Sequence, residues 1–175
     1  MGAKTKSDIS NSAIRMFLQA TGAFYDQARG YKRFNTSSTE WRDVLKHFEN
    51  VCCYCGAKLT NDNATMDHLV PINKKSLGLH AWGNVVPCCR HCNKEKHHSD
   101  WETFIKHKNT SPAHKRRRLL IKAFQNKYRY NPNLNLTLIA NNLYQDVGEV
   151  ASTLVTLRLK QAEAVISALT PKKNG

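Results

Sequence analysis

Acidic side chains are scarce in this chain. It has 13 Asp and Glu against 27 Lys and Arg over 175 residues, a net charge of +14 with an isoelectric point near 9.7. That field exceeds what solubility requires and points to a polyanionic partner, of which nucleic acid is the commonest. Long apolar runs are absent as well. No stretch approaches the roughly 18 residues of a membrane-spanning helix. The N-terminus, MGAKTKSDIS, lacks the apolar core of a secretory leader. Gly2 is placed for myristoylation, but Lys6 stands where that signal wants Ser or Thr. A cytoplasmic, unanchored protein is therefore expected. There is no repeat of fixed period and no low-complexity tract. With 41 % hydrophobic residues the chain can bury a core of its own, enough for one domain or a small domain with an extension.

The six cysteines fall into two tight groups: Cys52, Cys53 and Cys55, then Cys88, Cys89 and Cys92. A disulfide framework does not suit a chain without an export signal. Two Cys-x-x-Cys turns, each aiming two sulfurs at one ion, suit a tetrahedral structural zinc site. Cys52, Cys55, Cys89 and Cys92 have that spacing. Cys53 and Cys88 are spare, and His91 inside the second pair is a substitute ligand. The plainer readings are buried free thiols or a redox pair. The 33 residues between the pairs exceed a simple ribbon, so the metal would clip a longer insert too polar to fold alone.

Periodicity organises the rest. Residues 7–30 read as a helix with Ile14, Phe17, Leu18 and Phe24 on one face and Gly30 at its end. Ser37, three before Glu40, is a capping signal ahead of Trp41, Val44, Leu45 and Phe48. Short apolar stretches, 66–72 and 85–86, read as strands, and the chain turns helical from Arg90. Ser99 and Glu102 repeat the capping pattern before Trp101, Phe104 and Ile105. Residues 106–129 contain no acid and hold the run Lys115, Arg116, Arg117, Arg118. Asn131-Pro132-Asn133 is a break, and 134–169 reads as a final helix.

The insert between the cysteine pairs carries Asp67-His68, Pro71 and Asn84, and Asn93 follows Cys92 directly. Hydrolysis of a phosphodiester needs an activated water and neutralisation of charge at the phosphate. Histidine takes a proton near neutral pH, and a carboxylate suits a hard divalent cation. In a strand, Asp67 and His68 point to opposite faces and so take different tasks. Written out, C-x-x-C, D-H-L-V-P and N-V-V-P-C-C-R-H-C-N-K-E-K-H resembles the HNH endonuclease family over about 51–98. The resemblance implies an α+β fold: a small ββα-metal core clipped by structural zinc and flanked by helices. It implies His68 as general base, Asn84 as the brace of the loop that holds the base, and Asp67 with Asn93 as ligands of a catalytic Mg²⁺ or Mn²⁺. Asn93 stands where the family often has His. His97, four residues on, is the substitute ligand.

Three regions follow: an N-terminal helical flank, 1–50; the catalytic core with its zinc site, 51–105; and a basic helical region, 106–175. Lys94, Lys96 and His98 on the core's helix, with Lys115, Arg116, Arg117, Arg118 and Lys122 beyond it, are the expected contacts to phosphates of double-stranded DNA. Leu119, Leu120, Ile121 and Phe124 would anchor that basic helix to the body. The leading expectation is a metal-dependent DNA endonuclease, of restriction or of phage or mobile-element type. The rival is a catalytically silent zinc module that binds nucleic acid. Val147, Val150, Leu154, Leu157, Val165 and Leu169 form a stripe that either packs on the N-terminal helices or joins two copies into a homodimer.

Overall fold

The computed structural model describes residues 5–36, 39–60, 62–73, 75–107, 112–131 and 136–169, with only the backbone course given for 107, 112–113, 136–145 and 167–169. Helix α1 (Lys6–Ala28) opens on a reciprocal cap: Thr5 accepts from the Asp8 N–H, and Asp8 accepts from Thr5. It ends at Gly30, whose φ of +80° suits glycine. Its inner face is Ile14, Leu18, Gly22 and Tyr25. Phe24, expected on that face, is 72 % exposed, because the stripe runs through its neighbour Tyr25 instead. Helix α2 (Thr39–His47) buries Val44, with Phe48 just beyond it. Ser37, its expected cap, lies outside the described residues.

The centre is an antiparallel pair, β1 (Ala64–His68) and β2 (Val85–Cys89), in the register Met66↔Pro87 and His68↔Val85. Residues 69–72, expected to extend the first strand, do not. The chain leaves the ladder after His68, and Leu69 and Ile72 are apolar because a loop carries them inward. Pro87 is tolerated because, among the described residues, the sheet has no third strand needing its missing donor. Its carbonyl accepts the Cys53 N–H at 2.9 Å, which ties the first cysteine turn to β2. Helix α3 (Arg90–Lys96) starts at Arg90 as expected and packs on both strands, completing a ββα unit. Helix α4 (Trp101–His107) is capped by Asp100, whose Oδ1 accepts from the Glu102 N–H at 2.8 Å. Ser99, the expected cap, stands one residue too early.

Helix α5 (Pro112–Lys127) inserts Ile121 and Phe124 into a core shared with Val44, Phe48, Tyr54, Leu69, Val86 and Trp101. Leu119, expected among its anchors, faces solvent, and Leu120 is half-buried. Helix α6 (Leu136–Leu169) packs along α1, and Gly148 makes the close approach: a Cβ there would lie 2.5 Å from Ser10 Oγ. The apolar stripe lies mostly on the other side of α6. Val150, Leu154, Leu157 and Val165 are exposed, so their packing on the N-terminal helices is not seen. Leu169 has no described side chain.

Asp26, fully buried, joins α1 to the central unit. Its carboxylate pairs with Arg29 at 2.6 Å and accepts from the N–H groups of Phe34 and Trp82. Among the described residues no helix is long and apolar enough to cross a membrane.

Candidate active site and metal centre

The four expected sulfurs meet. Sγ atoms of Cys52, Cys55, Cys89 and Cys92 all lie within 4.8 Å of one another, and Cys55 and Cys89 are 3.8 Å apart. A tetrahedral ion with metal–sulfur bonds of about 2.3 Å would set its ligands at roughly that separation. Two tight turns present them. Gly56, at φ +77°, closes the first, with its N–H on the Cys52 carbonyl, and Cys89 caps α3 by accepting from the Cys92 N–H. Hydrogen bonding from Cys92 holds the Cys52 thiol down at about 4, and burial raises Cys55 to about 11. The cluster can hold a metal ion. Cys53 and Cys88 point into the core instead, and Cys88 is 3.2 Å from Thr65 Oγ1. Burial pushes both of these thiols up. His91 is outward and reaches Glu95 at 3.3 Å, away from the sulfurs' task.

Asp67 and His68 sit at the end of β1. Asp67 is 8 % exposed, and both of its polar contacts fall on Oδ2: the Tyr54 hydroxyl at 2.5 Å and the Lys96 ammonium at 3.0 Å. Lys96 is fully buried and also donates to the His68 carbonyl at 2.8 Å. It was expected among the phosphate contacts of the α3 surface. Burial removes it from that surface and makes it a core cation fixing the end of β1. Neither this role nor that of Tyr54 has a sequence signature, since the partners lie 29 and 13 positions away.

His68 Nε2 lies 3.0 Å from His80 Nδ1. Burial, then the nearby charges of His80, Lys96 and Arg15, depress His68 to about 3. Its imidazole is neutral throughout the physiological range, the form that can accept a proton. Asn84 is fully buried and closes the loop after β1. Its Oδ1 accepts from the Val70 N–H at 2.8 Å, and its Nδ2 donates to the carbonyls of Val70 and Leu79. Asn93 turns Nδ2 onto Thr65 Oγ1 and the Met66 carbonyl, so Oδ1 is the end left for a cation. His97 has left the helix at φ +49°, and its ring stacks edge-on against His98 in solvent.

Lys94 and His98 are exposed, as expected. The basic run on α5 is largely engaged. Arg116 and Arg117 share Glu49, at 2.6 and 3.4 Å, and Arg118 and Lys122 share Glu102. Arg117 lies against Gly56 in the first cysteine turn, and Lys115 is exposed. Another cation, Arg15 on α1, acts on the candidate base. Arg15, Asn73, Lys75 and His98 line a cavity of about 470 Å³ between α1 and the loop after β1. Arg15 escaped notice in the sequence because it is an isolated cation far from the motif, and Lys75 because nothing in the Lys74-Lys75 pair marks where it faces.

These features define an α+β chain built around a cysteine-clipped ββα unit with Asp-His at a strand end. Residues 52–109, about a third of the chain, match the HNH endonuclease family model. Over 111 residues the chain is 25 % identical to a Bacillus subtilis (strain 168) protein named "SPbeta prophage-derived putative HNH endonuclease YoqL". The match takes in 59 % of this chain and 47 % of that protein, so the chain spans about half the length of the curated relative it matches.

Proposed function

We propose that the protein is a metal-dependent endonuclease that hydrolyses phosphodiester bonds of double-stranded DNA in the cytoplasm. The observation that carries the reading is the convergence on β1 of neutral His68, the Asn84-braced loop and Asn93. His68 takes the proton of the attacking water. Asn84 keeps the loop closed behind it. Asp67 and Asn93 supply a carboxylate and an amide oxygen, a hard donor set suited to Mg²⁺ or Mn²⁺ that keeps most of its own water. Such a cation would neutralise charge on the phosphate. Zn²⁺ fits the four thiols and would hold the turns that position β2 and α3. Arg15, Lys75, Lys94 and His98, with the unpaired part of α5, supply the phosphate-facing charge. The prophage origin in the relative's name supports a phage or mobile-element setting over a restriction enzyme. A homodimer joined through the outward side of α6 would place two sites on the two strands.

A second reading draws on two observations: the Asp67 carboxylate already carries a lysine, and His68 is covered by His80. That arrangement suits a silent zinc module that only binds nucleic acid. Supercoiled plasmid incubated with the protein and Mg²⁺, Mn²⁺ or EDTA separates the two. The endonuclease nicks or linearises it with a divalent cation and not with EDTA, and His68→Ala cuts slower by orders of magnitude while binding DNA as before. Equal cutting by His68→Ala would remove the assignment.

A further inference from the structure

His80 belongs to no motif, yet it is the side chain that meets His68. Its Nδ1 stands 3.0 Å from His68 Nε2, with the ring centroids 5.3 Å apart. The placement is held from several directions. Phe34 packs its ring edge-on at 5.4 Å. Helix α1 presses on the backbone at this point: a Cβ on Gly22 would stand 2.4 Å from the His80 carbonyl oxygen. The preceding residue is fixed as well, since Asn84 Nδ2 donates to the Leu79 carbonyl at 2.7 Å. The segment that carries His80 is thus clamped between α1 and the loop brace.

A hydrogen bond between two imidazole nitrogens needs a proton on one of them and a lone pair on the other. If His80 donates, neutral His68 carries its own proton on Nδ1, and its only lone pair is consumed at Nε2. Such a histidine has nothing with which to take a proton from water. If His68 donates from Nε2, its Nδ1 keeps a free lone pair. Only the second arrangement is compatible with a base at His68. We propose that His80 is a positioning residue: its Nδ1 accepts the Nε2–H of His68, fixing both the ring orientation and the tautomer in which His68 Nδ1 is the basic atom. The inference rests on the reading of His68 as general base. It goes beyond that reading in naming the basic nitrogen and the residue that selects it.

The test uses the zinc-loaded full chain with ¹⁵N-labelled histidine, and the variants His80→Ala and His80→Asn. The Asn side chain offers an acceptor oxygen close to where the His Nδ1 stood. His80→Ala is expected to slow single-turnover cleavage by about 10- to 100-fold, the usual cost of losing an orienting partner. Its affinity for uncleaved duplex and its zinc content stay at wild-type values, and His80→Asn recovers most of the rate. Long-range ¹H–¹⁵N spectra of the wild type show His68 protonated on Nε2, and His80→Ala shows a mixture of tautomers. An Nδ1–H tautomer for His68 in the wild type overturns the proposal, as does wild-type cutting by His80→Ala or a His80→Asn rate no better than that of His80→Ala. If the wild type cuts no DNA with any cation, the nuclease reading falls, while the spectrum still decides whether His80 holds His68.

Discussion

The Lys96 ammonium is the residue whose surroundings most alter its meaning. In the run Asn93-Lys94-Glu95-Lys96 the two lysines look alike, but only Lys94 faces water. Lys96 is paired inside the core with Asp67 and the His68 carbonyl. Removing one partner of such a pair leaves the other charge buried without compensation, at a cost of about 3–5 kcal/mol. Lys96→Met should therefore lower the urea midpoint strongly, whereas Lys94→Met should shift stability by no more than about 0.5 kcal/mol. Matching midpoints for the two variants would show that Lys96 is solvated after all. Histidines give a second expectation at this scale. Burial lowers His47, His68 and His80 from the ordinary 6.5, with help from Lys127 at His47, His80 itself at His68, and Arg33 at His80. Each binds a proton on unfolding near pH 6.5 that it does not hold when folded. Their contribution to stability is complete above that pH and is lost as the pH falls, with His68 titrating only at about 3. Urea midpoints should drop between pH 7.5 and 5. His47 contacts Leu120, Phe48 and Phe124 and is not among the sulfur ligands, so a shallower drop in His47→Gln separates its proton from any release of metal. The same slope in both proteins would contradict its buried neutral state.

Among the elements, the two cysteine turns carry the four thiols that could share an ion. They link the Val51↔Lys58 bridge, β2 and α3, pieces of five to eight residues that cannot persist alone. Purified protein should carry about one tightly bound Zn²⁺. Cys55→Ser or Cys92→Ser should unfold the 51–98 segment rather than merely slow a reaction. Fluorescence of Trp82 and Trp101, both in the surrounding core, reports this, and unchanged emission with no bound zinc would reject the metal as a structural clip. This centre was legible in the sequence because ligand spacing is a local property, as was the ββα order of Asp67-His68, Asn84 and Asn93. Other features were not local. The 69–72 segment carries the apolar residues of a strand, yet Asn84 pulls it into a closed loop through bonds made 14 positions away. Asp100 rather than Ser99 caps α4, since both residue types cap well and the one-residue difference is set by tertiary packing. The partners of Asp67 and His68 come from a cysteine turn, the far end of α3 and an unmarked loop. No periodicity in one sequence could assemble them.

At the scale of the whole molecule, charge and apolar surface lie in different places. Acidic residues are few, and two of them, Glu49 and Glu102, are spent on four cations of α5. Four cations on two carboxylates leave α5 still basic, and further cations, Arg15 and Lys75, line the cavity beside α1 and the loop after β1. Helix α6 lies along α1, with Gly148 against Ser10 and Ile14, and Ile14 also lines that cavity. The far side of α6 leaves Val150, Leu154, Leu157 and Val165 uncovered at spacings of four, three and eight, one side of a helix interrupted at Gln161. A monomer keeps that stripe in water, where it opposes solubility in a way the net charge of +14 only partly offsets. Two copies crossing through it about a two-fold axis would bury it and leave both Arg15 cavities free. On the proposed function that geometry would also meet the chemical need, because one His68 would cut one strand per binding event and a symmetric pair could cut both. Light scattering at micromolar concentration should give twice the 19.9 kDa chain mass, with linear plasmid as the main product. Leu154→Asp, which puts a charge at a position 52 % exposed in the single chain, should return the mass to that of one chain, keep its zinc and convert linearisation to nicking. A monomer with and without DNA that still linearises plasmid would reject the pairing through α6.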